Sequence, residues 1–339
     1  MLTRSWHLCF LLLLLTACDR SESIKDDTAP STPSPSPESS PSPQGTYLFH
    51  WQVEGEFNKM ERTLSTRVYE LQGDRLEELG LAKDTILIGH QAGLSQVRHT
   101  SYEVKGCGAC NESDPVAACA KDPSLLTPFT EDRLLITLPD EKVRTQALLP
   151  APSATEAIAF HTPHMDYHGQ LGPYLFVTYR LSQMPCYADG NNTFVEYAAL
   201  DVRNGERVEL LTKQQLQQAG KGDVAIAAIG QANAMHEGFD GELSLEAVQF
   251  YLEGSTPNAV YFYASTCGEP CSGMVDVTQD VTVELPSVIL PEVYASKVDA
   301  PPAPIAALLD TPNPARLAHG WSTLPIDDDS KRRVDALLE

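Results

Sequence analysis

The chain has 339 residues, with 24 Lys plus Arg against 46 Asp plus Glu and a formal net charge of -22. That acidity excludes a duplex nucleic-acid binder, which needs clustered cations to displace counterions. With 42% apolar residues global disorder is excluded as well, and six of the eight cysteines lie beyond residue 100, which fits an oxidising compartment.

Residues 1–17 place Arg4 before an apolar run from Leu8 to Leu15, followed by small residues. This is the layout of a secretory signal peptide, too short for a membrane span of about 20 residues. Its end, Leu15-Thr16-Ala17-Cys18, resembles a bacterial lipobox, because a thiol at that position can take a diacylglyceryl thioether. The resemblance implies acylation at Cys18 and a lipid anchor facing the periplasm. Asp19 resembles an inner-membrane retention signal, with the outer membrane as the other destination.

Residues 18–45 then read as a linker, since twelve of the eighteen residues from 28 to 45 are Pro or Ser. Proline favours extended polyproline II, so about 28 residues at ~3.1 Å each reach on the order of 85 Å. The remaining 46–339 holds 21 basic and 41 acidic residues, a net -20. The acidity therefore belongs to the part expected to fold.

From there short strands dominate. Thr46 to Val53, Arg67 to Leu71, Leu134 to Leu138, Tyr174 to Leu181 and Phe194 to Val202 are β-branched or aromatic runs bounded by turn residues. Gln249 to Leu252, Val260 to Ala264 and Val281 to Leu285 continue the series. Helices are predicted at 212–218, capped by Thr212, and at 223–237, capped by Asp223 with Gly238 beyond its end. A terminal helix is expected from Asp329 to Leu338, after a Pro-rich stretch that runs irregularly over the surface. The predicted fold is α+β, dominated by antiparallel sheet with a few flanking helices. Its expected parts are a β-rich region at 46–160, an α+β domain at 161–298 and an extension at 299–339.

Two clusters carry chemistry. The segment 103–130, rich in Cys, Gly, Asn, Asp and Pro, reads as a loop or insertion. Within it Cys107 and Cys110 form a Cys-x-x-Cys, but Gly108, Asn111 and Pro115 oppose the helix that a redox motif needs. Cys107, Cys110, Cys119, Cys186, Cys267 and Cys271 are instead expected to form three disulfides, whose connectivity spacing leaves open. Cys267 and Cys271 are a candidate loop-closing pair.

The second cluster is His161, His164, Asp166 and His168. On a strand, the period of two puts His164, Asp166 and His168 on one face, a donor set suited to Zn²⁺ or Cu²⁺. The competing reading is a polar strand or loop face. No Gly-x-Ser-x-Gly, His-Glu-x-x-His, Walker or dinucleotide-binding motif occurs, and no cofactor is implied.

The order from 194 to 285 is distinctive. A strand ends in Asp201, Gly205 completes its turn, two helices follow, and a hairpin and last strand close the set. This resembles the RsiV-like extracytoplasmic family, which includes lysozyme-sensing anti-sigma factors and accessory domains of peptidoglycan deacetylases. The resemblance implies a non-catalytic envelope domain that recognises a cationic lysozyme-like hydrolase or peptidoglycan. Where the family carries a Gly-Gly-Ala-His loop this chain has Cys186 to Asn192, and its last loop is Thr266 to Gly273. Recognition is therefore expected from those two loops.

Overall fold

The computed structural model describes residues 44–53, 63–147, 156–188, 190, 192–236, 239, 241–253, 256–267, 273–284, 286, 302–309 and 326–339. Cys18, Cys271 and the side chain of Cys267 lie outside the described residues, as do most of the loop 266–273 and positions 189 and 191.

Among the described residues, four antiparallel meanders follow one another in chain order. The first sheet, A, holds β1 (Gln44–Val53), β2 (Thr63–Gln72) and β3 (Arg75–Ala82). Sheet B holds β4 (Ile86–His90), β5 (Gly93–Cys107), β6 (Leu126–Thr137) and β7 (Val143–Ala147). Sheet C is built from β8 (Ile158–Leu171), β9 (Tyr174–Pro185), β10 (Asn192–Asp201) and β11 (Glu206–Val208). Sheet D comprises β12 (Ser244–Glu253), β13 (Thr256–Cys267) and β14 (Gly273–Thr282). Helix α1 (Pro115–Lys121) interrupts β5 and β6, and α2 (Lys213–Ala219) and α3 (Asp223–Met235) separate sheets C and D. Near the C-terminus come α4 (Ala303–Leu309) and α5 (Asp328–Leu338). The α+β, antiparallel fold class read from the sequence is the observed one.

Strand alternation explains how the sheets layer. In β9, Tyr174 and Phe176 enter one cluster with Phe250, Tyr261 and Tyr263 of sheet D, while Leu175, Val177 and Tyr179 enter another with Ile88, Val97, Leu134 and Ile136 of sheet B. Successive side chains on a strand point to opposite faces, so one run of apolar residues glues two neighbours to one sheet. In sheet B, Leu87 and Leu94 turn the other way, toward Leu48 and Val68 of sheet A. Sheets A, B, C and D therefore pack in chain order, each face burying apolar side chains.

This layering bears on the domain division. The largest core cluster draws on sheet B before residue 160 and sheet C after it, and residues 42–339 form one compact unit. The boundary expected at 160/161 therefore runs through a shared core. The C-terminal extension also differs from expectation. Ile305 of α4 fills one face of sheet A beside Tyr47, Phe49, Tyr69 and Leu71, and Val334 of α5 fills the other beside Leu48 and Val68; both are fully buried. Helix α4 covers the face of sheet A that turns away from sheet B, and α5 packs into the other face beside Leu87 and Leu94 of sheet B.

Local chemistry sets several boundaries. Thr212 and Gln215 form a reciprocal capping box at the start of α2. Gly222, in a left-handed conformation at φ 81°, precedes α3, so Asp223 is its first helical residue rather than its cap. Gly205, at φ 73°, closes the β10–β11 turn with its N–H bonded 2.8 Å to the Asp201 carbonyl. A Cβ there would lie 2.6 Å from Arg144, so both conformation and space require glycine. The last strand begins earlier than predicted and stops at Thr282, opposite Asn258, because β13 begins at Thr256 and leaves few residues to pair beyond it. Among the described residues no helix is long and apolar enough to cross a membrane.

Candidate functional site

The two ends of the segment read as a loop from 103 to 130 belong to sheet B, while residues 108–125 between them leave it. β5 runs through Cys107 and β6 resumes at Leu126, so only the excursion between them departs from the sheet. Asp114 caps α1 by accepting from the Ala117 N–H at 3.0 Å, with Pro115 at the first helical position. Cys107 is bonded to Cys119, which pins α1 to the end of β5. Cys110 is bonded to Cys186 and ties the excursion to the end of β9. The two members of the Cys-x-x-Cys thus go to different partners, as a structural role requires. The Tyr187 hydroxyl adds a hydrogen bond to the Glu112 carbonyl beside the second bridge.

Strand β8 is an edge of sheet C and runs past β6 of sheet B. A cleft of about 780 Å³ opens where it meets sheets A and B. Its walls come from Ser65 and Leu81 of sheet A, the Lys83–Thr85 link, His99, Ser101, Thr130 and Asp132 of sheet B, and His161 to Met165 with Tyr167 of β8. Register explains the sheet B wall: Ser101 lies opposite Asp132 and His99 opposite Leu134, so alternate residues share the face that turns toward sheet C.

Asp132 is buried at the base of this cleft. Its Oδ2 lies 3.3 Å from His99 Nε2, and its Oδ1 accepts the Ser101 hydroxyl at 2.7 Å. Burial pushes the Asp132 carboxyl up, but the hydrogen bonds from His99 and Ser101 outweigh it and hold the group below its ordinary value. Burial likewise lowers His161, against smaller opposing effects from Gln183 and Thr130. Tyr167 and Tyr179, both buried, are pushed above the usual phenol value, first by burial and then by the charge on Asp132.

The four residues singled out on β8 separate by face. His164 and Asp166 are brought together, with Nε2 3.1 Å from Oδ1. Asp166 also faces Arg180 Nε at 3.8 Å, and Arg180 continues to Asp276 of β14 at 3.0 Å. Burial raises Asp166, but the His164 hydrogen bond and the charges of His164, His168 and Arg180 bring it below the ordinary carboxylate value.

A bulge falls at His168: Tyr167 pairs with Val177 and Gly169 with Phe176. The His168 ring packs edge-on to Phe262 of β13 at 5.0 Å. Because of the bulge, Leu171 turns to the sheet D side and joins that core. His161 lies near Phe129 of sheet B, at 5.9 Å between rings. Among the described residues no three His, Cys, Asp or Glu side chains converge on a point that holds a metal ion. The Asp166 carboxylate is engaged by His164 and Arg180, which makes the cluster an ion-pair network between sheets C and D.

The residues missed by sequence reasoning are His99, Ser101 and Asp132. His99-x-Ser101 has the strand period, but Asp132 is 31 residues from Ser101, and only the β5–β6 register brings the two together. The chain matches no family model, no curated protein and no solved structure.

Proposed function

We propose that this protein is a bacterial cell-envelope lipoprotein, anchored through Cys18, whose folded part is a non-catalytic binding domain of the RsiV-like kind. Its targets are peptidoglycan or a lysozyme-like hydrolase acting on it, and its expected place is the periplasmic face of the membrane. The observation that carries binding over catalysis is the use of Asp132. Ser101 donates its hydrogen to that carboxylate, and His99 is held by the same carboxylate. A nucleophilic serine needs contact with the imidazole that takes its proton, and here the two groups share an acceptor instead. The net charge of -20 on 46–339 supports a cationic partner, because such a field speeds encounter with basic proteins.

The test is calorimetry with a basic lysozyme at physiological ionic strength, alongside co-sedimentation with purified peptidoglycan sacculi. Saturable binding in either arm supports the reading. Heat that disappears at physiological salt and is matched at low salt by an unrelated basic protein, together with no sedimentation, overturns it.

A further inference from the structure

We propose that the outer edge of β10 takes up an extended basic segment of a partner protein as an added strand. This surface goes beyond the binding-domain reading and does not depend on the targets named there. It arises from unequal strand lengths. β10 pairs with β9 along all ten of its residues, from Asn192 opposite Gln183 to Asp201 opposite Tyr174, without a register shift. On its other side β11 covers only Ala199, Leu200 and Asp201. The chain leaves the sheet after Val208, because Leu210 is drawn into the core with Phe176 and Phe250. Among the described residues nothing pairs with Asn192 to Ala198 on that side. Alternate residues of an antiparallel strand turn both N–H and C=O outward, so this stretch presents unused backbone donors and acceptors.

Edge strands usually carry a feature that opposes pairing with another chain. β8 holds Pro163 and two register shifts, and β12 holds one shift. On β1 the Thr46 carbonyl is already bonded to the Ile326 N–H. The open stretch of β10 has no proline, no lysine and no bulge. Its one charge, Glu196, is paired with Arg207. Thr193 and Phe194 are exposed, Phe194 at 44%, so an added strand finds that ring as a cross-strand neighbour. Strand addition of this kind takes its affinity from the backbone and its specificity from pockets for side chains.

Charge selects the occupant. Where β11 ends, a pocket of about 140 Å³ opens beside Tyr197 to Ala199. Val208, Leu211, Leu216 and Val248 give it a partly exposed apolar wall. Among its described lining residues only Glu209 and Glu246, both exposed, carry charge. A lysine or arginine side chain matches that arrangement, with an apolar stem for the wall and a cation for the two carboxylates. A second copy of the chain is the poorer occupant, because residues 46–339 carry a net -20 and two copies repel each other.

The experiment is calorimetry of the detergent-solubilised full chain at physiological ionic strength, with short peptides of alternating Lys-Val and of alternating Lys-Pro. The two carry equal charge, but proline lacks the backbone N–H and does not continue a strand. Saturable binding of Lys-Val is expected, with Lys-Pro weaker by about tenfold or more. Amide hydrogen exchange is expected to slow at alternate residues between 192 and 198 when Lys-Val is bound. Phe194→Lys sets a cation on the exposed edge and is expected to weaken Lys-Val by about tenfold or more, with the thermal midpoint unchanged. A second variant, Glu209→Gln with Glu246→Gln, alters exposed side chains only and is expected to weaken Lys-Val as well. Equal affinity for the two peptides, no saturable binding, or unchanged exchange along β10 overturns the proposal. Slowed exchange at the same amides in the peptide-free chain, growing with protein concentration, assigns the edge to a second copy and overturns it too.

Discussion

Cys110 is bonded to Cys186, 76 residues away, with their Cα atoms 5.1 Å apart, although Cys107 lies only three positions before it. The bridge joins the excursion after β5 to the end of β9, and so fastens sheet B to sheet C at one corner. Beside it, the Cys186 N–H donates to the Ala157 carbonyl at 2.9 Å, and Cys107 forms an isolated bridge with Ala157. Three segments distant in sequence therefore meet around the two disulfides.

Loop closure makes these bridges unequal. In the chain-entropy account, a cross-link over 76 residues stabilises by about 4.5 kcal/mol and one over 12 residues by about 3 kcal/mol. The pair Cys110→Ser with Cys186→Ser should lower the denaturant midpoint more than the pair Cys107→Ala with Cys119→Ala does through chain entropy alone. The buried Cys107 and Cys119 side chains add a packing loss to the second pair, so alanine keeps that comparison conservative. Urea unfolding of both double variants under oxidising conditions measures the difference. Peptide mapping that recovers Cys107 joined to Cys110 would contradict the pairing outright.

Two buried histidines predict acid sensitivity. His50 Nδ1 lies 3.2 Å from the Thr66 hydroxyl, which accepts from the Leu87 N–H and so joins sheets A and B. Ser95 spends its hydrogen on the Val202 carbonyl at 2.6 Å, so it must accept from His90 Nε2 at 2.9 Å, while His90 Nδ1 accepts from the Ala92 N–H. The His90 ring is therefore held neutral by its two hydrogen bonds, and the His50 ring is disfavoured as a cation by burial. Burial pulls His50 down to about 3, and burial with the nearby Arg203 charge pulls His90 down to about 4. With folded values below the unfolded value of 6.5, the unfolded state binds more protons as pH falls from there toward 4. Stability should be full above pH 6.5 and decline through that window, at about 1.4 kcal/mol per unit for each histidine. Urea midpoints taken from pH 8 to pH 4 test this, and a flat profile across the window would refute it.

The C-terminal helices should matter for folding. Ile305→Ala removes a fully buried side chain from the face of sheet A that α4 covers, at a cost of about 3 kcal/mol. A thermal midpoint unchanged by Ile305→Ala would mean that α4 does not hold that face in solution.

Removing both β8 imidazoles on the sheet D side separates network from metal site. His164→Ala with His168→Ala gives up, among its contacts, the hydrogen bond to Asp166 and the ring contact with Phe262, which are worth about 2 kcal/mol. The loss should be the same with zinc present or chelated. A wild-type midpoint that rises with stoichiometric zinc, with no rise in the double variant, would establish a metal site on β8.

The proposed anchor depends on one thiol. Cys18→Ser should leave an unacylated precursor that partitions away from detergent, since serine cannot form the thioether. Equal partitioning of variant and wild type would sink the lipoprotein reading.

Much of the fold is legible along the chain because it depends on local patterns. Tyr174 to Leu181 and Phe194 to Val202 read as strands from their own residues, and they are the cores of β9 and β10. Thr212 announces α2 through a cap four residues wide. Asp201 to Gly205 specifies its turn through a single carbonyl and a left-handed glycine. In the cap and the turn the stabilising contacts lie within a few residues, and in the strands the alternation is carried by the residues themselves, so these elements are legible from sequence alone.

What the tertiary structure decided is which distant segments meet. The His99–Asp132 and Ser101–Asp132 contacts depend on the register of β5 against β6, and register is fixed by the whole hydrophobic face rather than by any one residue. The bulge at His168 follows the same logic: it shifts the parity of β8, so that Tyr167 faces sheet B and Leu171 faces sheet D. The choice of Cys186 over Cys107 as partner for Cys110 belongs here as well. A strand carries its period in its own residues, but its neighbours choose the phase, because both faces of each sheet must find apolar surface to cover them.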